Sequence, residues 1–406
     1  MSEICGRTMA KRCLFLAAFM ALGALGIDDV SNASGASTCM QMKLVKDNGK
    51  DAVPAIAECL KHGAGGVLQL LPGTYHLLTP LVIDRPVSIE TTPIASGQTC
   101  SKFTGAHCAV LAIGQMPPEL APGVMPIEIV ARNVRLQSLV IAGAGSYDSP
   151  WQHRVCLDPH DRPLGGGVRV SADNFQMANV LLKGVSCYTA MEVSAGVKKI
   201  KLSNNVIVGN GNHENNMMWA DGITIHDAEE AIIENNIFRD NTDVQLILGG
   251  CRRCSIKNNK FYHSADFKWA SFAELMLHAW PTTSGNFVGS ITSGNSVNCG
   301  QNKRCGYGIM IGGEPWYSSK AYGGAVTGNT VKNALMGLNV DRLTGAMTIQ
   351  HNIVKGSGGV AISDCGKKYW PSVNISPRSK EFLMSNLKIY KSMETGKCLL
   401  GRVKNN

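Results

Sequence analysis

Three acidic residues occur in the same local setting, each at the start of a short apolar run. Asp221 precedes Gly-Ile-Thr-Ile, Asp243 precedes Val-Gln-Leu-Ile, and Glu274 precedes Leu-Met-Leu. If these runs are strands stacked in register, about 4.8 Å apart, the three carboxylates form a column on one surface. Like charges at that separation repel, so a column persists if a cation neutralises it, if one carboxylate keeps a proton, or if water screens it.

Each of these states implies a different function. A calcium ion would take carboxylate oxygens of Asp221, Asp243 and Glu274 as ligands. A retained proton would leave an acid beside a base, which is the arrangement that cleaves glycosidic bonds. Screening by water would make the three residues ordinary solvated acids. The sequence leaves these alternatives open.

Residues that move protons or bind sugars lie near the acids or on long loops. His278 follows the Glu274 run and Lys268 precedes it, and both are candidates for handling a proton, as is His160. Sugar rings pack their C–H faces on aromatic side chains, and a guanidinium pairs with a uronate carboxylate. The candidate substrate-binding residues are Trp219, Trp269, Trp280, Trp316, Tyr317 and Arg342.

A repeat indicates the elements that would position these residues. An apolar alternation, a turn, an Asn and further apolar residues recur at intervals of 31, 23, 36, 34 and 23 residues. This spacing fits an all-β solenoid with a core repeat of about 22 residues and loops inserted in some coils. At such corners Asn tolerates the left-handed backbone and its amide can bond to the next coil. The repeated residues are Asn205, Asn236, Asn259, Asn295, Asn329 and Asn352.

The rest of the chain divides around this repeat into one domain with a leader. Residues 1–36 have basic residues, an apolar run and small residues, the pattern of a secretion signal. Within a single domain over 37–406, we expect a cap over 44–90, coils over about 125–365 and a tail over 366–406. The cap includes a helix over Asn48–His62, because apolar residues recur there at helical spacing.

Composition bounds the environment and the partners of the protein. The chain has 39 Lys and Arg against 30 Asp and Glu, a net charge of +9. Because no nucleic-acid motif accompanies this charge, it favours an acidic polymer or an anionic cell surface over DNA. We expect an acidic polysaccharide as partner and no nucleic acid. No apolar run is long enough for a membrane span, and we expect a monomer.

The cysteines predict disulfides and an oxidising location, either secreted or periplasmic. Of the 14 cysteines, Cys5 and Cys13 belong to the signal, which leaves an even number. Connectivity is not deducible from spacing, and pairing of sequence neighbours is the simplest scheme. It couples 39 with 59, 100 with 108, 156 with 187, 251 with 254, 299 with 305 and 365 with 398.

With its repeat, cap and export signal, the chain resembles the right-handed parallel β-helix superfamily of pectate lyases, polygalacturonases and mannuronan C5-epimerases. The resemblance covers most of residues 44–365. It implies a single-stranded right-handed parallel β-helix with an N-terminal capping helix.

Two sets of short motifs carry more local resemblances. The segments 220–225, 241–244 and 306–312 look like the acidic and glycine-rich motifs of polygalacturonases, although the doubled Asp is here only Asp243 and the His is Tyr307. The segment Asp-Pro-His-Asp at 158–161 is similar to a mannuronan C5-epimerase motif, which implies a catalytic role for its His. No pectate lyase motif is matched residue by residue.

Together these features predict an exported enzyme that acts on a uronate-containing polysaccharide. β-Elimination or C5-epimerisation is favoured over hydrolysis, because the hydrolase motifs are incomplete and the chain is basic. A polygalacturonase-type glycoside hydrolase is one alternative. A non-catalytic glycan-binding protein of a surface or matrix is the other. Calcium is the only cofactor expected.

Overall fold

The chain winds repeatedly through three parallel β-sheets. The computed structural model describes residues 41–42, 49–62, 66–92, 99–101, 107–117, 123–145, 148–213, 218–268, 270–313, 319–363, 366–387 and 390–391. Each coil passes from the first sheet to the second and then to the third, and hydrogen-bonded neighbours in a sheet come from successive coils. The fold is the single-stranded right-handed parallel β-helix that the repeat and the resemblance predict.

The strands of each sheet follow one another along the axis of the coil. The first sheet contains Gln41–Met42, Val67–Leu70, Ser88–Thr91, Arg135–Gln137, Gln176–Ala178, Lys201–Ser203, Ile232–Glu234, Ser255–Lys257, Ile291–Ser293, Ala325–Thr327, Met347–Gln350 and Leu383–Ser385. The second contains Gly73–Leu77, Ala109–Ile113, Val140–Ala142, Leu181–Lys183, Val206–Val208, Ile237–Arg239, Lys260–Tyr262, Ser296–Asn298, Thr330–Lys332 and Ile353–Lys355. The third contains Leu81–Ile83, Ile127–Ile129, Val168–Val170, Tyr188–Val193, Val197–Lys198, Ala220–Glu229, Val244–Arg252, Ser271–Leu277, Cys305–Ile311, Met336–Val340 and Val373–Ile375.

Few other elements interrupt this pattern in the part of the chain that the structure describes. They are the α-helices Val53–His62 and Pro150–Leu157, the 3₁₀ helices Arg162–Gly165 and Pro377–Phe382, and an antiparallel hairpin of Gly359–Ser363 with Gly366–Trp370. None of the described helices is both long and apolar enough to cross a membrane.

Aliphatic side chains of equivalent strands stack inside the coil. In the first sheet Leu202 is in register with Ile233, which is in register with Ile256, and all three are at most 1% exposed. Burying a side chain of this size stabilises the fold by about 1.5–3 kcal/mol. The short period-2 pattern of each strand therefore fixes which residues face the axis.

The helix Val53–His62 closes the N-terminal end of the coil, as predicted. Ile56 and Leu60 are buried in the same core as the strands. The helix begins later than the predicted Asn48, because the Asp51 carboxylate accepts the Val53 backbone N–H at 3.1 Å and so caps the helix there. The same oxygen accepts the Leu78 N–H at 3.0 Å, which ties the cap to the coil.

The coil is longer than the predicted range of about 125–365. Val67–Leu70 and Ser88–Thr91 already pair within the first sheet, so the segment assigned to the cap also contributes strands. Beyond residue 365, Val373–Ile375 and Leu383–Ser385 still pair with the preceding coil.

The six repeated asparagines form a continuous hydrogen-bonded ladder between the first and second sheets. Each Asn Nδ2 donates to the Oδ1 of the next Asn at 2.9–3.0 Å, from Asn205 through to Asn352. The same Nδ2 also donates to a backbone carbonyl, as in Asn259 with Ile233 O at 2.9 Å. The amides therefore satisfy buried polar groups at every corner.

The left-handed backbone at these corners lies one residue earlier than we predicted. The residues before the ladder have positive φ, for example Asn204 at 57°, Asn235 at 57° and Asn258 at 56°. The residue at the turn thus adopts the left-handed conformation, and the Asn that follows it points its amide into the coil.

Four of the predicted disulfides are present. They join Cys100 to Cys108, Cys156 to Cys187, Cys251 to Cys254 and Cys299 to Cys305. The predicted couples 39 with 59 and 365 with 398 involve positions that lie outside the described residues. The pairing of sequence neighbours is confirmed for the four couples whose residues are all described.

The ladder predicts a large loss of stability on substitution of Asn259 by Ala. The change removes the side-chain partners of the buried Asn236 N–H and Ile233 C=O and interrupts the amide ladder, so the free energy of unfolding should fall by about 2–4 kcal/mol. Denaturant unfolding measures this. Asn258→Gly is the control, because glycine accepts the left-handed backbone and Asn258 is exposed. An Asn259→Ala loss no larger than that of the control would contradict the structural role of the ladder.

Candidate active site on the third sheet

A cleft of about 410 Å³ opens on the outer face of the third sheet. It crosses four consecutive coils and is bordered by the segment that follows the helix Pro150–Leu157. Its lining residues are Arg162, Tyr188, Thr189, Trp219, Asp221, Thr224, His226, Asp243, Val244, Ile247, His278 and Trp280.

Asp221 and Asp243 meet in this cleft because their coils are adjacent. The Asp243 backbone N–H donates to Ala220 O at 3.1 Å, and the Val244 N–H donates to Asp221 Oδ1 at 3.0 Å. Asp243 and Val244 are consecutive, yet both line the cleft. This is possible because Asp243 lies just before the strand, where side chains need not alternate between faces.

Gly222 permits this close approach of the two coils. A Cβ atom at this position would lie 2.4 Å from Gln245 O and 3.0 Å from the Asn241 side-chain nitrogen. Any larger residue would therefore push the strand of Asp221 away from the next coil.

The carboxyl group of Asp221 holds its proton to unusually high pH. Asp221 reaches solvent through the cleft, but protein surrounds most of its carboxylate. Burial is the main cause of its raised pKa, and the negative charge of Asp243 adds to it. Opposing effects are smaller: the Thr224 hydroxyl donates to Asp221 Oδ2 at 2.8 Å, the Val244 N–H donates to Oδ1, and Arg162 is nearby.

Arg162 and Trp219 form one wall of the cleft. The guanidinium lies over the indole ring, 4.3 Å from its centroid, and donates to Trp219 O at 3.0 Å. This cation–π contact and the hydrogen bond orient the aromatic ring. Arg162 begins the 3₁₀ turn Arg162–Gly165. The disulfide Cys156–Cys187 links the helix before this turn to the coil.

An ionic network beside the cleft orients its other wall. Glu192 is 6% exposed and lies 2.8 Å from His226 Nε2 and 2.9 Å from the Arg169 guanidinium. Burial would raise the pKa of Glu192, but the hydrogen bond from His226 and the charge of Arg169 outweigh it and lower the pKa. His226 then packs edge-on against Trp280, with ring centroids 5.0 Å apart.

Two further lining residues are kept neutral by their surroundings. Burial lowers the pKa of His278 to about 4, against a weak opposing contact with Gly312 O. Burial, followed by the charge of Glu192, raises the pKa of the Tyr188 hydroxyl, which donates to Glu192 at 3.2 Å. At neutral pH the cleft therefore contains an unprotonated imidazole and a protonated phenol.

Glu274 does not join the two aspartates, so the predicted column of three carboxylates is wrong. Val244 is in register with Ala273, and Leu246 with Leu275, which places Glu274 beside Gln245. A shift of one residue along a strand turns the side chain to the opposite face. Glu274 is accordingly buried inside the coil corner.

Glu274 is bound there by polar neighbours. His263 Nε2 lies 2.9 Å from Glu274 Oε1, and the Ser271 hydroxyl donates to the same oxygen at 2.5 Å. Burial would lower the pKa of His263, but Glu274 and Asp240 on either side of the ring outweigh it and raise the pKa to about 9. These contacts indicate that Glu274 stabilises the coil and is not available to a substrate.

The predicted calcium ligands do not fit a common site. Glu274 lies inside the coil, and both oxygens of Asp221 accept hydrogen bonds from protein. Among the described residues no group of three or more His, Cys, Asp or Glu side chains is arranged to hold a metal ion.

The remaining candidates are divided between the cleft and other surfaces. His278, Trp219 and Trp280, which the sequence offers as candidates, line the cleft. Exposed His160 and Lys268 and half-buried Arg342 are not among the lining residues. Trp269, Trp316 and Tyr317 lie outside the described residues.

His160 is on the exposed turn after a helix, where its backbone N–H donates to Asp158 Oδ1 at 2.8 Å. The Asp-Pro-His-Asp segment therefore forms a turn and not part of a strand. Arg162, which follows this segment directly, lines the cleft instead.

Sequence reasoning missed several lining residues. Arg162 directly follows the Asp-Pro-His-Asp segment, but nothing in its local pattern indicates a cleft. Tyr188, Thr189 and Thr224 lie in strands, where only the register of neighbouring coils brings them beside Asp221. Alternation along the strand would place Thr224, three residues after Asp221, on the opposite face, so the sequence carries no signal for the contact between their side chains.

The comparisons with known proteins agree with this architecture. No family model and no curated protein matches the chain. Among solved structures the chain is similar to the Dettilon tailspike protein, with TM-score 0.52 and 12% identity over 82% of this chain and 62% of the tailspike. It is similar to alginate lyase from Paenibacillus sp. str. FPU-7, with TM-score 0.51 and 13% identity over 75% of this chain and 93% of the lyase.

A third similar structure is endopolygalacturonase I from Stereum purpureum, with TM-score 0.48 and 14% identity over 86% of this chain and 98% of that enzyme. The match to the tailspike covers 62% of that protein, so this chain spans less than two thirds of the tailspike's length. These likenesses show a parallel β-helix fold. At these identities the likeness concerns the fold alone.

Two substitutions should shift the pKa of Asp221 in opposite directions. Asp243→Asn removes a neighbouring negative charge, so the pKa of Asp221 should fall. Thr224→Val removes a hydrogen bond to the ionised carboxylate, so the pKa should rise by roughly one unit. Carboxyl ¹³C NMR titration measures both. Shifts of the same sign would refute the coupling of the two aspartates.

Proposed function

We propose that this protein is a glycoside hydrolase that cleaves an acidic polysaccharide in the cleft of the third sheet. The observation that carries the proposal is the pair of aspartates, of which Asp221 keeps its proton because of burial and the neighbouring charge of Asp243. A protonated carboxyl beside an ionised one is the minimum machinery for glycosidic hydrolysis.

In this mechanism Asp221 is the general acid and Asp243 the base. Asp221 gives its proton to the glycosidic oxygen as the bond from that oxygen to the anomeric carbon breaks. Asp243 stabilises the positive charge that develops on the sugar and takes a proton from the attacking water, whose oxygen bonds to the anomeric carbon. Exchange with solvent returns the pair to its starting protonation state.

The walls of the cleft support a carbohydrate substrate. Trp219 and Trp280 both reach the cleft and offer aromatic faces for sugar C–H groups. Arg162 lines the same space and can meet a carboxylate of the substrate. The net charge of +9 favours an acidic polymer over a neutral one. The alginate lyase and the polygalacturonase resemble this chain in fold only, which is no evidence for a shared activity. The proposal therefore rests on the cleft.

Elimination or epimerisation at a uronate, which the sequence favours, is the second candidate. One observation supports it: His278 lines the cleft and burial lowers its pKa to about 4, so its imidazole is available as a base. A base of such low pKa is weak, and the other candidates for proton abstraction, Lys268 and His160, do not line the cleft. We therefore place hydrolysis first.

Assays on polygalacturonate and alginate test the proposal. New reducing ends without the ultraviolet absorbance of unsaturated uronates indicate hydrolysis, and chelation with EDTA should leave the rate unchanged. Asp221→Asn and Asp243→Asn should each lower kcat by about 10²–10⁴-fold, because each removes one of the two proton-transfer groups. Glu230→Gln, which changes a half-buried acid that does not line the cleft, is the matched control.

The pH profile gives an independent check. Activity should fall as the pH rises through the raised pKa of Asp221, about 8, because the general acid then loses its proton. Unsaturated products, or full activity of Asp243→Asn, would overturn the hydrolase assignment. Glycan binding without turnover in any of these assays would instead support a non-catalytic binding protein.

A further inference from the structure

The hairpin of Gly359–Ser363 with Gly366–Trp370 covers part of the outer face of the third sheet. Its inner side is apolar: Trp370 is fully buried and clusters with Tyr307 and Met336 of the sheet beneath. Because side chains alternate along a strand, the opposite side of the hairpin must face solvent.

That solvent side carries an aromatic and aliphatic surface. Val360 lies directly opposite Tyr369, and Ile362 opposite Lys367. Val360, Ile362 and Tyr369 are 63%, 54% and 56% exposed. Contiguous exposed apolar side chains, unlike scattered ones, mark interaction surfaces.

Lysines surround this surface at fixed positions. Lys391 Nζ lies 5.5 Å from the centroid of the Tyr369 ring. The Lys391 backbone bonds on both sides to the last strand of the third sheet, with its N–H on Val373 O and its O on the Ile375 N–H, each at 3.1 Å. These bonds fix the Lys391 backbone, and its ammonium lies over one face of the ring.

A second pair repeats this arrangement nearby in the chain. Tyr390 is 40% exposed and Lys380 Nζ lies 5.6 Å from its ring centroid. Over the described residues from 366 onward only Glu381 is acidic. The basic residues in the same range are Lys367, Lys368, Arg378, Lys380 and Lys391.

We propose that Tyr369, Lys367 and Lys391 form a second binding site for acidic polysaccharide, separate from the cleft. An exposed ring takes the C–H face of a sugar, and flanking ammonium groups take its carboxylates. The chemical class of the polymer rests on the proposed function, but binding at this surface requires no turnover.

The hairpin lies on the same face of the coil as the cleft. The apolar cluster under Trp370 also includes Val244 and Ile247, which line the cleft. Coils are about 4.8 Å apart, so the strands under the hairpin lie about one or two coils, roughly 5–10 Å, beyond the last coil of the cleft. One polymer chain can therefore occupy both sites, which raises its affinity above that of a short oligosaccharide.

Affinity electrophoresis in native gels tests this site. All proteins carry Asp243→Asn so that the polymer stays intact, and the gels contain polygalacturonate, alginate or neutral dextran. The parent should be retarded by at least one of the anionic polymers and not by dextran. Tyr369→Ala with Lys391→Gln should raise the Kd for that polymer by about threefold to tenfold. Lys367→Gln alone should have a smaller effect of the same sign.

Lys260→Gln is the matched control, because Lys260 is an exposed lysine of the second sheet, away from the hairpin. Its Kd should equal that of the parent. Retardation of the parent by neither anionic polymer, or equal retardation of the parent and the Tyr369/Lys391 variant, overturns the second site. If the wild type cleaves neither polymer but the hairpin variants still lose binding, the hydrolase assignment fails and the second site stands.

Discussion

Registration of each coil on the next is the constraint on which the rest of the structure depends. The backbone hydrogen bonds of parallel strands allow slippage wherever side chains are similar, and the aliphatic core of this coil is similar from one turn to the next. The asparagine ladder removes that freedom, because an amide displaced by one residue would leave buried N–H and C=O groups without partners. Loops of different length can then be inserted between strands without moving the strands themselves.

The cleft is a direct product of this registration. Asp221 and Asp243 are separated along the chain by a complete coil, yet the Val244 N–H reaches the Asp221 carboxylate. The absence of a side chain at Gly222 allows the approach, and the segment carrying Arg162 closes the cleft at one side. Burial then couples the two carboxyl groups, since fewer water molecules screen their charges.

Charged residues serve two different purposes in neighbouring coils. Outside, Glu192 connects Arg169 to His226 and holds the ring next to Trp280, so its role is to position a wall of the cleft. Inside, Glu274 and Asp240 hold a protonated His263 at a corner of the coil, where they replace hydrogen bonds to water. The two networks use the same residue types, and only the face of the strand distinguishes a structural acid from one available to a substrate.

The sequence by itself determined the solenoid, the capping helix and the positions of the asparagine ladder, because each depends on residues close in sequence or on a repeat that can be counted. For the cysteines it offered only the simplest pairing scheme, and the structure decided in its favour for four couples. The sequence also identified Asp221, Asp243, His278, Trp219 and Trp280 as candidates. Only the tertiary structure decided which acids meet. Side-chain direction in a strand reverses at every residue, so an uncertainty of one position was enough to misplace Glu274, and the contribution of Arg162 depends on an insertion whose path no local pattern fixes.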